Sequence, residues 1–253
     1  MRLSARLLAL LASAVFAAMP LAASAQELTV SAAASLTDAF KALGPAYEAS
    51  HPGVKLRFNF AASGVLLQQI GQGAPVDVFA SADQETMNRG VEQKHIDSAT
   101  RKNFVSNSLV LIEPSKDGVG VKSLQDLAGP AVKKIAVGKT ATVPVGRYTK
   151  QVLDAANLWT TLEPKFVQAD SVRQVLDYVG RGEVEAGFVY RTDAAVMGDK
   201  VKIVLTPSGN SPVTYPIAVV AESKQKAVAK DFIDFLSSDA AQEVLTRYGF
   251  GKP

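Results

Sequence analysis

The feature that most constrains the fold is an alternation of short apolar runs with amphipathic stretches along the chain. Residues 28–31 predict a strand, and apolar residues at helical spacing follow in residues 36–47. Residues 54–60 alternate apolar and polar side chains, which is typical of a strand with one buried face. A chain that alternates strands and helices in this way forms parallel sheets covered by helices. The sequence therefore predicts an α/β protein with mostly parallel sheets.

The alternation continues to the end of the chain and predicts two lobes. The 228 residues that follow the leader described below exceed a typical single domain of about 100 to 200 residues. Two long strand-like runs, 104–112 and 213–221, are the places where we expect the chain to cross between lobes. The expected division puts residues 26–108 and 216–253 in lobe 1. Residues 109–215 form lobe 2.

The first 25 residues have the pattern of a secretory signal peptide. Two arginines precede a charge-free run over residues 7–26, and the small residues at 23–25 fit a cleavage site. A retained membrane anchor is the alternative, because the run is just long enough to span a bilayer when tilted. Pro20 and the small-residue ending favour cleavage. We expect cleavage after Ala25 and a mature protein in the periplasm.

The net charge gives little guidance to a partner. The chain carries a formal charge of +3, and Arg2 and Arg6 of the predicted leader account for two of these charges. No basic patch interleaved with aromatic residues is present, so we expect no nucleic-acid partner. The sequence has no cysteine, which excludes a disulfide framework and a thiol nucleophile. For the same reason we do not expect a lipoprotein.

The common catalytic motifs do not occur in the sequence. It has no G-x-S-x-G, no P-loop, no G-x-G-x-x-G and no H-E-x-x-H. His51 and His95 are the two histidines, and both stand in polar surroundings typical of a protein surface. We therefore expect no enzymatic activity and no cofactor. A secreted serine hydrolase that uses Ser35 or Ser63 is a remote alternative, because it lacks a general base.

Small polar residues or proline occur where predicted strands end and helices begin. Ser35 precedes a helix with Asp38 three positions on, as in a capping box, and Ser63 follows the next strand. Pro144 stands at an expected first helical position, and Ser171 supplies another cap. Helix starts offer free N–H groups and the positive end of the helix dipole, which suits an anion. Since parallel sheets collect ligands at the carboxyl ends of their strands, the set favours an anion site.

Seven segments in order carry a family resemblance: 30–38, 73–83, 107–110, 143–148, 187–190, 215–220 and 247–250. Together they resemble the ModA family, the molybdate-binding receptors of bacterial ABC transporters. The resemblance implies a type II-like, two-lobed periplasmic binding protein with its ligand in the cleft between the lobes. It also implies an ABC transporter permease as the membrane partner. We expect the receptor to be a monomer.

The same resemblance implies a set of residues that hold a tetrahedral oxyanion. Ser35 and Ser63 each offer a hydroxyl and a backbone N–H group. Val145 and Val172 offer backbone N–H groups, and Tyr190 offers its phenol. The metal of molybdate or tungstate is then held only through the oxygens of the anion, with no direct coordination by the protein.

The selectivity of this predicted site is left open by the sequence. Val145 stands where relatives often have a smaller residue, and Ser63 lacks the neighbouring serines of some relatives. A site of donors alone disfavours hydrogen phosphate, whose proton needs an acceptor, but it accepts sulfate. A receptor for sulfate or another small oxyanion is therefore the alternative. An amino-acid receptor is a further one, because Arg147 and Arg173 lie next to predicted ligand positions.

Overall fold

The computed structural model describes residues 26–253, so the predicted signal peptide and its cleavage after Ala25 lie outside the described residues. The strands are β1 (Gln26–Ala33), β2 (Val54–Ala61), β3 (Val78–Ala80), β4 (Lys102–Asn107), β5 (Leu109–Pro114), β6 (Ile135–Gly138), β7 (Phe166–Ala169), β8 (Ala186–Tyr190), β9 (Val201–Leu205) and β10 (Val213–Val219). The α-helices are α1 (Thr37–Ser50), α2 (Ser63–Gly71), α3 (Gln84–Glu92), α4 (Pro144–Ala155), α5 (Trp159–Leu162), α6 (Val172–Gly180), α7 (Arg191–Met197), α8 (Lys226–Leu236) and α9 (Asp239–Arg247). Between residues 26 and 253, no helix has the length and apolar character needed to cross a bilayer.

The strands form two five-stranded sheets that are built alike. The first sheet has the order β2-β1-β3-β10-β4, and the second has the order β7-β6-β8-β5-β9. In each sheet the first three strands are parallel, and the fourth runs antiparallel to both of its neighbours. The predicted α/β class with two lobes is confirmed. The sheets are mixed because one strand in each, β10 or β5, enters directly from the other sheet.

The chain passes between the two sheets twice. The run predicted at 104–112 is divided, since β4 ends at Asn107 in the first sheet and β5 begins at Leu109 in the second. The return lies between Leu205 and Val213, because β10 pairs with the first sheet from Val213 onward. The predicted limit at 215/216 falls inside β10. Below, lobe 1 denotes the first sheet with its helices, and lobe 2 denotes the second sheet with its helices. The domain limits predicted from the sequence stay a prediction.

Helix α1 shows how apolar spacing in the sequence becomes packing against a sheet. Its predicted stripe is buried, and the ring of Phe40 lies 5.9 Å from those of Phe58 and Phe104. Pro45 lies inside α1 and does not end it, because the helix continues to Ser50. Pro45 and Lys41 are both exposed residues of α1. A proline leaves the carbonyl four residues before it without a helical N–H partner, and it is tolerated better on the side of a helix that faces water.

Candidate anion-binding site

A small cavity lies between the two lobes, and eleven residues line it. The five predicted ligand residues are all among them: Ser35, Ser63, Val145, Val172 and Tyr190. The first two belong to lobe 1 and the other three to lobe 2, so each sheet supplies part of the lining. The remaining six are alanines, a valine and a proline. The site is therefore assembled from small and uncharged groups at the facing edges of the lobes.

Three helices begin at the cavity. Ser63 is the first residue of α2, Val145 the second of α4, and Val172 the first of α6. N–H groups in the first turn of a helix have no partner within that helix, and they carry its positive partial charge. The cap predicted at Ser171 is confirmed, because its side chain accepts a hydrogen bond from the N–H group of Gln174. The convergence of these helix starts makes the cavity suited to an anion.

The capping box predicted at Ser35 is wrong. Ser35 lies in a single 3-10 turn, Ala34–Leu36, and α1 begins only at Thr37, with no side-chain cap. This turn separates Ser35 from the first turn of α1, so its hydroxyl is not used there. Ser35 Oγ lies 2.9 Å from the phenol oxygen of Tyr215 instead. The Ser35 side chain thus lines the cavity and contacts Tyr215 behind it.

The hydroxyl groups of Ser63 and Tyr190 are both available as donors in the cavity. Ser63 Oγ accepts a 3.0 Å hydrogen bond from the N–H group of Ala82, so its own proton is left for another acceptor. The Tyr190 hydroxyl is buried and has no hydrogen-bond partner within residues 26–253. Burial raises the pKa of Tyr190 well above its usual value, so the phenol stays protonated. An unpaired buried hydroxyl is costly, and an anion oxygen in the cavity would satisfy it.

The two arginines beside the predicted ligand positions join the lobes and do not line the cavity. Arg147 of lobe 2 donates from Nε to Oδ2 of Asp83 in lobe 1 at 2.8 Å. Nη2 of Arg173 in lobe 2 lies 2.8 Å from Oδ2 of Asp38 in lobe 1. Because both guanidinium groups are paired with carboxylates, neither is placed to bind the carboxylate of an amino acid, which removes the reason for that alternative.

A second carboxylate compensates the charge of Arg173. Asp193 on α7 is fully buried, and its Oδ1 lies 2.6 Å from Nε of Arg173. Burial raises the pKa of Asp193 to about 6, although the nearby arginine acts in the opposite direction. Arg173 thus faces two carboxylates, those of Asp38 and Asp193, and it does not provide a free counterion for a ligand.

The two histidines lie away from the cavity. The ring of His51 stacks on Tyr47, and its Nε2 is 2.9 Å from Oδ2 of Asp231. His95 packs beside Gly71 at the end of α2. Neither ring is among the residues that line the cavity with the two serines. The serine hydrolase alternative therefore gains no base from the structure.

Sequence reasoning missed four residues around the site: Asn107, Tyr215, Arg147 as a link between the lobes, and Gly64. Three of them fall inside segments that carry the family resemblance, but a segment match does not say which residue a side chain meets. Their partners lie far along the chain. Arg147 and Asp83, for example, are 64 positions apart, and no local pattern connects two such positions.

Gly64 is the point of closest backbone approach that we identify between the lobes, and it gives a test of their contact. Its N–H group donates to the carbonyl of Thr142 at 2.9 Å, and an added Cβ would lie 2.6 Å from that oxygen. We expect the added Cβ in Gly64→Ala to hold the lobes apart. The bound anion would then lose about one of its hydrogen bonds to the protein, which weakens ligand binding by about tenfold. Titration calorimetry measures this loss.

The matched control is Gly180→Ala in α6, where the new Cβ meets side chains and no backbone: the flexible Met197 at 3.2 Å and Val201 at 3.8 Å. This variant is expected to bind as the unmodified chain does. Equal affinities for Gly64→Ala and the unmodified chain would contradict the proposed contact. The unfolding temperature without ligand shows whether either change disturbs the lobes themselves.

Two similar α/β lobes with a buried cavity between them, lined from both sides, define a two-lobed solute-binding protein. Residues 28–251 match the family of bacterial extracellular solute-binding proteins. The molybdate-binding protein ModA of Escherichia coli is 39% identical over 88% of this chain and 88% of its own length. The chain therefore belongs to the bacterial extracellular solute-binding proteins, and the resemblance to the ModA family is confirmed.

Two solved structures agree with this placement. One is the substrate-binding domain of a provisionally assigned molybdenum ABC transporter from Clostridium difficile. It is 42% identical, has a TM-score of 0.67, and matches 90% of this chain and 99% of its own. The periplasmic molybdate-binding protein of Azotobacter vinelandii has a TM-score of 0.78 at 24% identity, over 89% of this chain and 99% of its own. At 24% identity, the similarity to the A. vinelandii structure shows the fold alone.

Proposed function

We propose that the protein is an extracytoplasmic receptor that binds molybdate and delivers it to an ABC importer. The observation that carries this proposal is a cavity between the lobes whose polar groups are hydroxyls and helix N-termini, with no charged side chain among its lining residues. The ligand named for the E. coli relative supports the same anion. We assign no catalytic turnover to the site.

The proposed binding mode replaces the water shell of a dianion by fixed donors. The hydroxyls of Ser35, Ser63 and Tyr190, with the backbone N–H groups of Val145 and Val172, surround the four oxygens. Hydrogen bonds to a charged group contribute about 1.5 to 3 kcal/mol each, and several of them offset the desolvation of the anion. Because the donors come from both lobes, the anion binds best when the lobes are together.

The donor set also determines which anions are excluded. The oxygens of Ser35 and Ser63 already have hydrogen-bond neighbours, Tyr215 and Ala82. Hydrogen phosphate brings a proton that finds no carboxylate acceptor among the lining residues, whereas molybdate, tungstate and sulfate bring none. We propose that tungstate binds as molybdate does, because both have the same charge and nearly the same size. Sulfate is separated from them by size.

The proposed delivery follows from the two-lobed form. Closing the lobes on the anion creates a surface that differs from that of the open receptor, and a permease can recognise this difference. We place the mature chain, starting at Gln26, in the periplasm as a monomer. It carries no cofactor, since the transported anion is its ligand.

Calorimetric titration of residues 26–253 with molybdate, tungstate, sulfate and hydrogen phosphate tests the proposal. We expect tight binding of molybdate and tungstate, weaker binding of sulfate, and no measurable binding of hydrogen phosphate. Molybdate at 100 times its Kd should stabilise the fold by about 2.7 kcal/mol. Failure of molybdate and tungstate to bind overturns the proposal. Sulfate affinity that equals or exceeds molybdate affinity favours the sulfate receptor.

A further inference from the structure

Behind the cavity, a row of side chains connects Ser35 to the point where the chain passes between the lobes. The phenol oxygen of Tyr215 lies 2.9 Å from Ser35 Oγ. On its other side, Nδ2 of Asn107 lies 3.3 Å from the same phenol oxygen. Asn107 ends β4 and stands at the passage to lobe 2. Tyr215 is fully buried in β10, so water does not compete for these contacts.

The neighbouring groups indicate the direction of each hydrogen bond in this row. Oδ1 of Asn107 accepts from the N–H group of Ser108 at 2.9 Å, which settles the orientation of the amide. Its Nδ2 then donates to Oγ1 of Thr192 at 2.8 Å and to the phenol oxygen of Tyr215. An amide nitrogen has no acceptor capacity, so within residues 26–253 the buried phenol proton of Tyr215 has Ser35 Oγ as its acceptor. Ser35 accepts there, and its own proton is left to point into the cavity.

We propose that Asn107 and Tyr215 are positioning residues that hold the Ser35 hydroxyl as an obligate donor to the bound oxyanion. The inference rests on the proposed function, because it concerns how the same site selects an anion without a proton. Burial raises the pKa of the Tyr215 phenol well above its usual value, so the phenol keeps its proton at neutral pH. Without this row, the Ser35 hydroxyl is free to rotate, and an oxyanion must order it on binding.

A double-mutant cycle in Tyr215 and Ser35 tests the inference, with the Kd for molybdate as its measurement. We expect Tyr215→Phe to weaken binding by about tenfold in the unmodified chain and by less than about twofold in the Ser35→Ala chain. The phenylalanine keeps the ring packing of Tyr215 on Tyr190 and Phe250, whose centroids lie 5.8 and 5.6 Å away. A residue needed only for packing would show the same loss in both backgrounds.

Asn107→Asp provides a reversal test in the same cycle. A carboxylate accepts the phenol proton, so Tyr215 would then accept from Ser35 and turn the serine proton away from the cavity. The added negative charge weakens molybdate binding both in the unmodified chain and in the Ser35→Ala chain. The difference between these two losses measures the effect of the reversed Ser35 hydroxyl. We expect that difference to be at least as large as the loss in Tyr215→Phe. A loss that is independent of Ser35 contradicts the inference.

The matched control is Tyr148→Phe. Tyr148 is another buried tyrosine, its ring lies 6.3 Å from that of Tyr190, and it is not part of the row behind Ser35. This variant should bind molybdate within about twofold of the unmodified chain. Equal losses for Tyr215→Phe in both backgrounds overturn the inference but leave the proposed function standing. Absence of molybdate binding by the unmodified chain overturns the proposed function itself.

Discussion

Replacing Ser35 by Ala together with Tyr190 by Phe is expected to weaken molybdate binding by at least a hundredfold. The two changes remove two hydroxyl donors, one from each lobe, that line the same cavity. Hydrogen bonds to a charged group contribute about 1.5 to 3 kcal/mol each, so the pair accounts for about 3 to 6 kcal/mol. Competition calorimetry with the double variant and with each single variant measures the loss.

The same chemical changes placed elsewhere provide the control. Ser50→Ala with Tyr47→Phe removes a serine and a tyrosine hydroxyl from α1, where their partners include the carbonyl of Ala46 and the carboxylate of Asp231. This pair should leave the affinity unchanged even if it lowers the unfolding temperature. Unchanged affinity in the Ser35 and Tyr190 double variant contradicts the assignment of these two donors.

The fold was predictable because its signals are local. The alternation at residues 54–60 corresponds to β2, and the proline at 144 begins α4. The course of the chain between the sheets was partly predictable from the long run at 104–112. Its division at Ser108 was not, because the two halves differ in the sheet with which each one pairs, and that pairing is not written in the local sequence.

The placement of the candidate ligand residues was predictable from the resemblance together with the helix starts. The local chemistry was less so. The pattern at Ser35 fits a capping box, yet tertiary contact with Tyr215 decides its conformation and its hydrogen bond. The hydrogen bond of Ser35 joins residues that are distant in sequence, and no periodicity in the sequence connects position 35 with position 215.

The link between Arg147 and Asp83 leads to the second large effect. Arg147→Ala is expected to weaken molybdate binding by about a hundredfold or more. Asp83 is 4% exposed, and the arginine is its counterion from the opposite lobe. Removing one partner of a buried ion pair costs about 3 to 5 kcal/mol, because the other charge is left uncompensated. Separation of the lobes returns Asp83 to water, so this cost falls on the closed, ligand-binding arrangement. Calorimetric titration with molybdate measures the loss.

The cause of that loss can be isolated by neutralising the remaining charge. Asp83→Asn keeps an oxygen for the N–H group of Thr86, which the aspartate accepts at 3.1 Å as the cap of α3. We therefore expect Arg147→Ala with Asp83→Asn to bind molybdate more tightly than Arg147→Ala alone. Arg181→Ala, which removes an exposed arginine of lobe 2, should leave the affinity unchanged. If the double variant binds no better than Arg147→Ala, the uncompensated charge is not the cause, and Arg147 acts instead through its contacts with Thr86 and the carbonyl of Thr140.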